Sequence, residues 1–154
     1  MNTKRLVTVA VLIALYTVLS LFSASLGLIK LTFESFPVLV AGLMFGWVDG
    51  LLVGAVGGFL NQMLTYGFTV TTLMWIFPNA LRGLLVGLYA RKYNYELSMK
   101  RTAGIVLATS LLVTALNTVA LYVDSQIFHY PISLTVGAIA LRFLSSVVMA
   151  AIYT

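Results

Sequence analysis

Apolar runs long enough to cross a lipid bilayer follow one another along almost the whole chain. A helix needs about 20 apolar residues to span the hydrocarbon core, and the segments between these runs are too short to form a domain outside the membrane. Of the 154 residues, 61% are hydrophobic and only 8% are charged, which is not the composition of a soluble domain. The sequence therefore predicts a single integral membrane domain of the all-α class over residues 1–154.

The hydrophobic pattern predicts six transmembrane helices, at about 5–25, 33–48, 50–66, 72–91, 101–123 and 134–154. Trp47, Val48 and Asp49 separate the second helix from the third, so these two short helices are expected to form a tight hairpin. The N-terminal stretch is interpreted as the first helix, because no cleavage site followed by a soluble domain comes after it. At the other end, Thr154 lies in an apolar run without a basic flank, as expected of a truncated sequence.

Basic residues collect in the connections on one side of the predicted bundle. One side has Lys4, Arg5, Arg91, Lys92, Lys100 and Arg101 with Asp49 and Glu96, and the other has Lys30, Glu34, Asp124 and His129. Cytoplasmic loops of membrane proteins contain the excess of Lys and Arg. Both termini are therefore predicted to be cytoplasmic, and the net charge of +5 is interpreted as a topology signal rather than as a nucleic-acid-binding surface.

Two arginines, Arg82 and Arg142, lie deep inside predicted membrane helices. A guanidinium near the bilayer centre costs roughly 2.5 to 3.5 kcal/mol on insertion scales, so such a residue usually marks a functional site. None of the four acidic residues is expected at the depth of these arginines. We expect both to bind an anionic ligand, with Arg82 paired to its carboxylate; the alternative is that backbone carbonyls or lipid headgroups satisfy them.

Polar side chains are expected to converge in the outer half of the bundle, whereas the inner halves of the same helices are almost entirely aliphatic. The candidate ligand-binding residues are Arg82, Asn79, Arg142, Trp75, Asn61, Gln62 and Asn117. Arginine suits a carboxylate, amides suit hydroxyl or amide groups, and tryptophan suits apolar surface. Hydrogen bonding between helices is an equally good interpretation of Asn61, Gln62 and Asn117, and the interfacial aromatic belt is the favoured one for Tyr66 and Tyr122.

The sequence contains no motif for catalysis or metal binding. It has no cysteine and one histidine, His129, so a thiol nucleophile and a Cys-ligated metal are excluded, and His129 is interpreted as a surface residue. A GxxxxGK[ST] nucleotide loop and a Ser/His/Asp set are also absent. We therefore expect no enzymatic activity, no cofactor and no metal, and uphill transport would need energy from another subunit.

Small residues recur at a spacing of four, a pattern typical of helices that pack closely in lipid. The glycines of this pattern are Gly42, Gly46, Gly50, Gly54 and Gly58, with Gly83 and Gly87 in the fourth helix. Packing within the domain is the favoured interpretation of these glycines. Ala10 and Ala14 differ, because they lie one turn apart on a face of the first helix that need not be buried. They are candidates for docking another membrane protein.

Several segments, together with the predicted topology, make the chain resemble the substrate-binding S components of energy-coupling factor (ECF) vitamin transporters. The resemblance covers essentially the whole chain and rests on Ala10-Val-Leu-Ile-Ala14, Lys30-Leu-Thr-Phe-Glu-Ser-Phe-Pro37, Val40-Ala-Gly-Leu-Met-Phe-Gly46 and Asn79-Ala-Leu-Arg-Gly-Leu-Leu-Val-Gly87. It implies a multi-pass protein of the bacterial plasma membrane that takes up a vitamin. The implied partners are a membrane scaffold (T) subunit, which would bind the Ala10 and Ala14 face, and two cytoplasmic ATPase subunits.

The resemblance also implies that loops at about residues 26–34 and 67–72 gate the ligand pocket, and that the protein topples in the membrane to deliver its vitamin. Residues 33–46 are similar to folate-type members, but the acidic residue of those members at the end of the third helix is missing from Gly57-Gly-Phe-Leu-Asn-Gln62. Asn61-Gln-Met-Leu-Thr-Tyr-Gly67 is closer to the pantothenate type. Pantothenate is thus the preferred substrate, and folate or a pyridoxine or pyrimidine vitamin is the alternative.

Two hypotheses from other classes stay open at this point. One is a stand-alone secondary transporter or channel, which would need a polar path through the inner half of the bundle. The other is a structural or assembly membrane protein without a ligand, for which replacement of Arg82 would leave function unchanged.

Overall fold

A computed structural model describes residues 3–22, 24–26, 29–31, 33–129 and 136–154. Its helices are α1 (Thr3–Leu21), α2 (Ser35–Val40), α3 (Trp47–Tyr66), α4 (Thr72–Lys92), α5 (Met99–Phe128) and α6 (Val136–Ile152). The predicted all-α architecture of six helices is confirmed. Residue 23 of the first predicted helix, residues 27, 28 and 32 of the predicted gating loop, and residues 134 and 135 of the sixth predicted helix lie outside the described residues.

Three helices, α1, α4 and α5, are long and apolar enough to cross a membrane. Two shorter apolar helical stretches, Ser35–Phe45 and Ile139–Ile152, complete the apolar part of the bundle. The remaining helix, α3, has 20 residues and carries the polar side chains Asp49, Asn61 and Gln62. Apolar side chains pack in two buried clusters, one joining α1 to α2 and α3, and one joining α2 to α4, α5 and α6.

A short antiparallel hairpin, which the sequence did not predict, follows α1. Strands β1 (Ala24–Leu26) and β2 (Ile29–Leu31) pair in the register Ala24 to Leu31, Ser25 to Lys30 and Leu26 to Ile29. The loop predicted at about 26–34 is therefore partly a strand pair, and β2 lies beside α6.

The turn between α2 and α3 is even tighter than predicted. A π-helical segment, Ala41–Phe45, continues α2, and only Gly46 separates it from α3. Gly46 has a φ of 106°, a conformation that glycine adopts without the steric cost of a Cβ. Trp47, Val48 and Asp49, predicted as the connection, instead form the first turn of α3. Asp49 is buried there because Arg5 of α1 neutralises it, with Nε and Oδ2 2.7 Å apart.

Helix α5 is longer than predicted, since it continues to Phe128 instead of ending near residue 123. No glycine or proline follows Asp124 until Pro131, so nothing in the sequence interrupts the helix there. It ends at His129, which adopts the left-handed conformation with a φ of 52° and is exposed. Asp124, predicted in an outer loop, therefore lies within α5.

Helices α3 and α4 pack backbone to backbone through their glycines. A Cβ added to Gly50 would lie 2.5 Å from the carbonyl oxygen of Gly83, and one added to Gly54 or Gly87 would meet the opposite backbone. Helices in lipid associate largely through such close packing. At these positions the structure agrees with the favoured interpretation, in which the spaced glycines pack the domain internally.

A methyl group at the α3 and α4 contact should destabilise the bundle. In Gly83→Ala the new Cβ would overlap the carbonyl of Gly50, so we expect the free energy of unfolding to fall by about 1 to 3 kcal/mol. Gly104→Ala on α5 is the matched control, because an added Cβ meets no atom within 4 Å there. That variant should be neutral or up to about 1 kcal/mol more stable. Thermal unfolding in detergent measures both, and equal melting temperatures would contradict the close contact.

Candidate ligand-binding site

A cavity of about 620 Å³ opens between the helices, and its wall brings the sequence-predicted set together. The candidates in the wall are Arg82, Asn79, Arg142, Trp75, Asn61, Gln62 and Asn117. Pockets for small molecules usually measure about 300 to 1,000 Å³. The cavity thus has the size and the polar groups of a small-molecule site.

Helix α4 directs Trp75, Asn79 and Arg82 into the cavity, because residues three and four apart share one helical face. The amide Nδ2 of Asn79 donates a hydrogen bond of 2.9 Å to the hydroxyl of Tyr16. Tyr16 is fully buried and belongs to α1. This bond ties α1 to α4 and fixes the orientation of the Asn79 amide at the cavity wall.

Arg82 is buried and has protein partners. Its guanidinium donates a hydrogen bond to the hydroxyl of Ser35, and Glu34 lies close enough to interact with it electrostatically. The prediction that no acidic residue shares the depth of Arg82 is therefore wrong. The reason is that α2 is short and begins inside the bundle, so the residue before it lines the cavity instead of staying in an outer loop.

Arg142 of α6 is half-buried and lines the same cavity. Within the described part of the chain, its guanidinium has neither a hydrogen-bond partner nor an ion-pair partner. The neighbouring hydroxyls of Ser145 and Ser146 donate to carbonyls of their own helix, at 2.8 and 2.9 Å. Arg142 is thus available to a ligand. The Arg82 guanidinium is already partly engaged, because it donates to Ser35.

The connection between α3 and α4 is fastened to α5 at the outer part of the cavity. The hydroxyl of Thr71 donates a hydrogen bond of 2.5 Å to Oδ1 of Asp124. Within the connection, the backbone N–H of Thr69 donates to the hydroxyl of Thr72 at 2.8 Å. Bonds to a carboxylate are stronger than those between neutral groups, so the Thr71 contact holds this connection over the cavity.

The amides of α3 and α5 are differently engaged. Asn61 donates a hydrogen bond of 3.5 Å to Glu34, the residue before α2, and accepts one of 3.2 Å from Thr65 of its own helix. Neither bond joins two helices, so the alternative of hydrogen bonding between helices is not shown for Asn61. Oδ1 of Asn117 is buried and, among the described residues, accepts no hydrogen bond, and the buried Nε of Arg82 has no acceptor there. Buried polar atoms of this kind call for an explanation, and a bound polar molecule is one.

Residues 4–154 match the family model described as the substrate-specific component of ECF transporters. The chain belongs to this family. The predicted resemblance is thereby confirmed, and the fold is that of an all-α membrane protein. Members of the family are substrate-binding subunits of transporters, known as S components.

Known relatives and solved structures agree with the assignment. Two UPF0397 proteins, from Lacticaseibacillus casei (strain BL23) and Leuconostoc citreum (strain KM20), share 36% identity over 53 residues and 43% over 60 residues. These matches cover 34% and 39% of this S component but only 27% and 30% of the relatives. A structure described as the S component of a bacterial ECF transporter superposes with a TM-score of 0.70, and FolT bound with folic acid with 0.66.

Both superpositions cover 99% of this S component, and 92% and 89% of the respective structures. Their sequence identities are 23% and 24%. At this distance the likeness establishes the fold and leaves the ligand open.

The charges in the wall of this S component differ from those predicted. Glu34 and Asp124 line the cavity together with Arg82 and Arg142, so two carboxylates formally balance two guanidinium groups. The sequence had indicated a purely cationic site. Selection of a ligand must therefore depend on where the opposite charges lie in the wall, because the wall residues that the structure describes carry equal numbers of positive and negative groups.

The candidate set predicted from the sequence lacked Glu34, Asp124 and Tyr16, all of which line the cavity. The sequence did contain a signal for Glu34 and Asp124. The chain has only four acidic residues, and these two lie beside the outer ends of predicted helices. No such signal exists for Tyr16, because a lone tyrosine in an apolar helix has the same sequence context as an aromatic-belt residue.

Loss of the Tyr16 hydroxyl should destabilise the ligand-free protein. Tyr16→Phe leaves the buried Asn79 amide without its acceptor, so the free energy of unfolding should fall by about 1 to 3 kcal/mol. Tyr66→Phe is the matched control: Tyr66 also lines the cavity but is 62% exposed, and its change should stay within about 0.5 kcal/mol. Thermal unfolding in detergent distinguishes the two, and an unaffected Tyr16→Phe would argue against the bond between α1 and α4.

Proposed function

We propose that this S component captures a small anionic B-vitamin, with pantothenate as the best candidate, and passes it to an ATPase-driven ECF importer in a bacterial plasma membrane. The observation that carries the proposal is the availability of Arg142 in a cavity whose wall also contains amides and carboxylates. A charged donor of this kind suits a carboxylate, the group that distinguishes such vitamins from neutral solutes.

The chemistry of pantothenate supports this choice. Its one carboxylate would pair with Arg142, and its two hydroxyls would donate to Glu34 and Asp124 across the cavity. Its amide would bond to Asn117, which has a buried oxygen in need of a donor. In this arrangement Arg82 lies close enough to Glu34 to interact with it electrostatically. Folate and a pyridoxine or pyrimidine vitamin are the alternative ligands.

Removal of the Arg142 charge should weaken pantothenate binding by about ten- to a hundredfold, the value of one charge-assisted hydrogen bond. Isothermal titration of purified Arg142→Gln with pantothenate measures this loss. Panthenol, in which a hydroxyl replaces the carboxylate, is the control ligand: it should bind the native protein more weakly and be insensitive to the substitution. Arg91→Gln, exposed at the end of α4, is the control variant.

Unchanged affinity in Arg142→Gln would remove the proposed role of this residue. Binding of folate in place of pantothenate would preserve the S-component function and change the vitamin. No binding of any vitamin would count against the whole proposal.

The exposed face of α1 is proposed to bind the scaffold (T) subunit. Ala10 and Ala14 are exposed there, beside Leu6, Val7 and Val11, each more than half exposed. Small side chains allow a second helix to approach the backbone closely in lipid. We orient the protein with the α1 N-terminus and the basic connection between α4 and α5 in the cytoplasm, where two ATPase subunits would act.

Bulky side chains on this face should separate ligand binding from transport. Ala10→Trp with Ala14→Trp is expected to block docking sterically, so vitamin binding by the isolated protein persists and ATP-dependent uptake by the complex disappears. Leu73→Trp with Phe77→Trp is the control, since these exposed residues of α4 have the same spacing. ATP-dependent uptake that survives in the variant with both alanines replaced would show that the docking face has been misplaced, and loss of binding would show that the alanines pack the bundle.

A further inference from the structure

A second hollow lies between α4 and α5, with a volume of about 340 Å³. Among the described residues, its wall shares none with the ligand cavity. Leu85, Leu88, Ile105, Ala108 and Leu112 supply its apolar surface. Its polar side chains are Tyr89, Lys92 and Thr109.

The apolar part of this groove opens outward. Leu88 and Leu112 are 44% and 39% exposed, and both helices are long enough to cross the membrane. From Leu85 to Lys92, and from Ile105 to Leu112, each helix rises about 10 Å. The groove therefore faces the hydrocarbon core over a length that accommodates part of an acyl chain. Thr109 does not make it polar, because its hydroxyl donates to the carbonyl of Ile105 at 2.7 Å.

Lys92 is the charged residue of the groove and stands at its end, on the last residue of α4. Its ammonium is exposed, so the apolar wall leads directly to a positive charge. Lys100 and Arg101 follow across the short connection, which contains one acidic residue, Glu96. Arg101 lies over the ring of Tyr93 at 4.5 Å, which keeps a second cation close to the helix ends.

Gly104 is an exposed residue of α5, one turn after Lys100. It lies one turn before Ala108 on α5, and a Cβ added to it would meet no atom within 4 Å. At the contact between α3 and α4, by contrast, a Cβ added to Gly50, Gly54, Gly83 or Gly87 would meet the backbone of the other helix or of the turn before it. Gly104 therefore makes no close contact with another helix among the described residues.

We infer that the groove binds one acyl chain of an anionic glycerophospholipid, with Lys92 bound to the phosphate. An apolar trough that ends in a cation matches the two chemically different parts of such a lipid, and basic residues next to membrane helices attract anionic headgroups. The inference is independent of the vitamin and of the cavity.

Native mass spectrometry of the detergent-solubilised protein with added phosphatidylglycerol tests the headgroup contact. Lys92→Gln should reduce the retained phosphatidylglycerol about fivefold, the typical effect of one basic residue near a membrane surface. Lys100→Gln, outside the groove, should change it less. Phosphatidylcholine should be retained less than phosphatidylglycerol by the native protein, and equal retention of the two lipids would overturn the inference.

A second pair of variants tests the acyl-chain contact. Ala108→Trp fills the groove, whereas Leu107→Trp places the same side chain at an exposed neighbour outside it. Only the first should reduce lipid retention. Glycerol phosphate at millimolar concentration should not displace the lipid, because it lacks the chain; displacement would show a simple phosphate site, and equal retention in both tryptophan variants would show unspecific lipid around the protein.

Discussion

The close contact between α3 and α4 is the constraint on which the rest of the structure depends. Gly50 faces Gly83 and Gly54 faces Asn79, so the two backbones meet without intervening side chains. This contact fixes both the depth and the rotation of α4. Because Asn79 and Arg82 belong to α4, their positions at the cavity wall follow from this contact. The hydrogen bond from Asn79 to Tyr16 then links α1 to the pair formed by α3 and α4.

Every buried charge near this contact is matched by a partner from another element. Arg82 bonds to Ser35 and lies near Glu34, and Asp49 pairs with Arg5 at the opposite end of α3. Removing one member of such a pair from a low-dielectric interior leaves an uncompensated charge. This destabilises the fold far more than replacing both members with apolar side chains. These pairs also leave Arg142 as a cation that a ligand can engage.

Three surfaces of the molecule are separated by this arrangement. The cavity lies among the helices, the exposed face of α1 has no partner in the described bundle, and the groove between α4 and α5 opens elsewhere with a separate set of residues. If the proposed solute, scaffold and lipid each bind their own surface, one contact can change without distorting the others. The short α2 begins inside the bundle, and Glu34, the residue before it, therefore lines the cavity.

The sequence by itself determined the six helices and the convergence of six polar residues and Trp75 on one cavity. Apolar length and helical periodicity are local properties, and the direction of each helix sets the depth of its side chains. Only the tertiary structure decided the charge of that cavity. Glu34 reaches it because α2 begins inside the bundle, and Asp124 because α5 continues past the predicted end and accepts a bond from Thr71. Such contacts join residues far apart in the chain, as with Arg5 and Asp49, and depend on how helices pack, which no local pattern encodes.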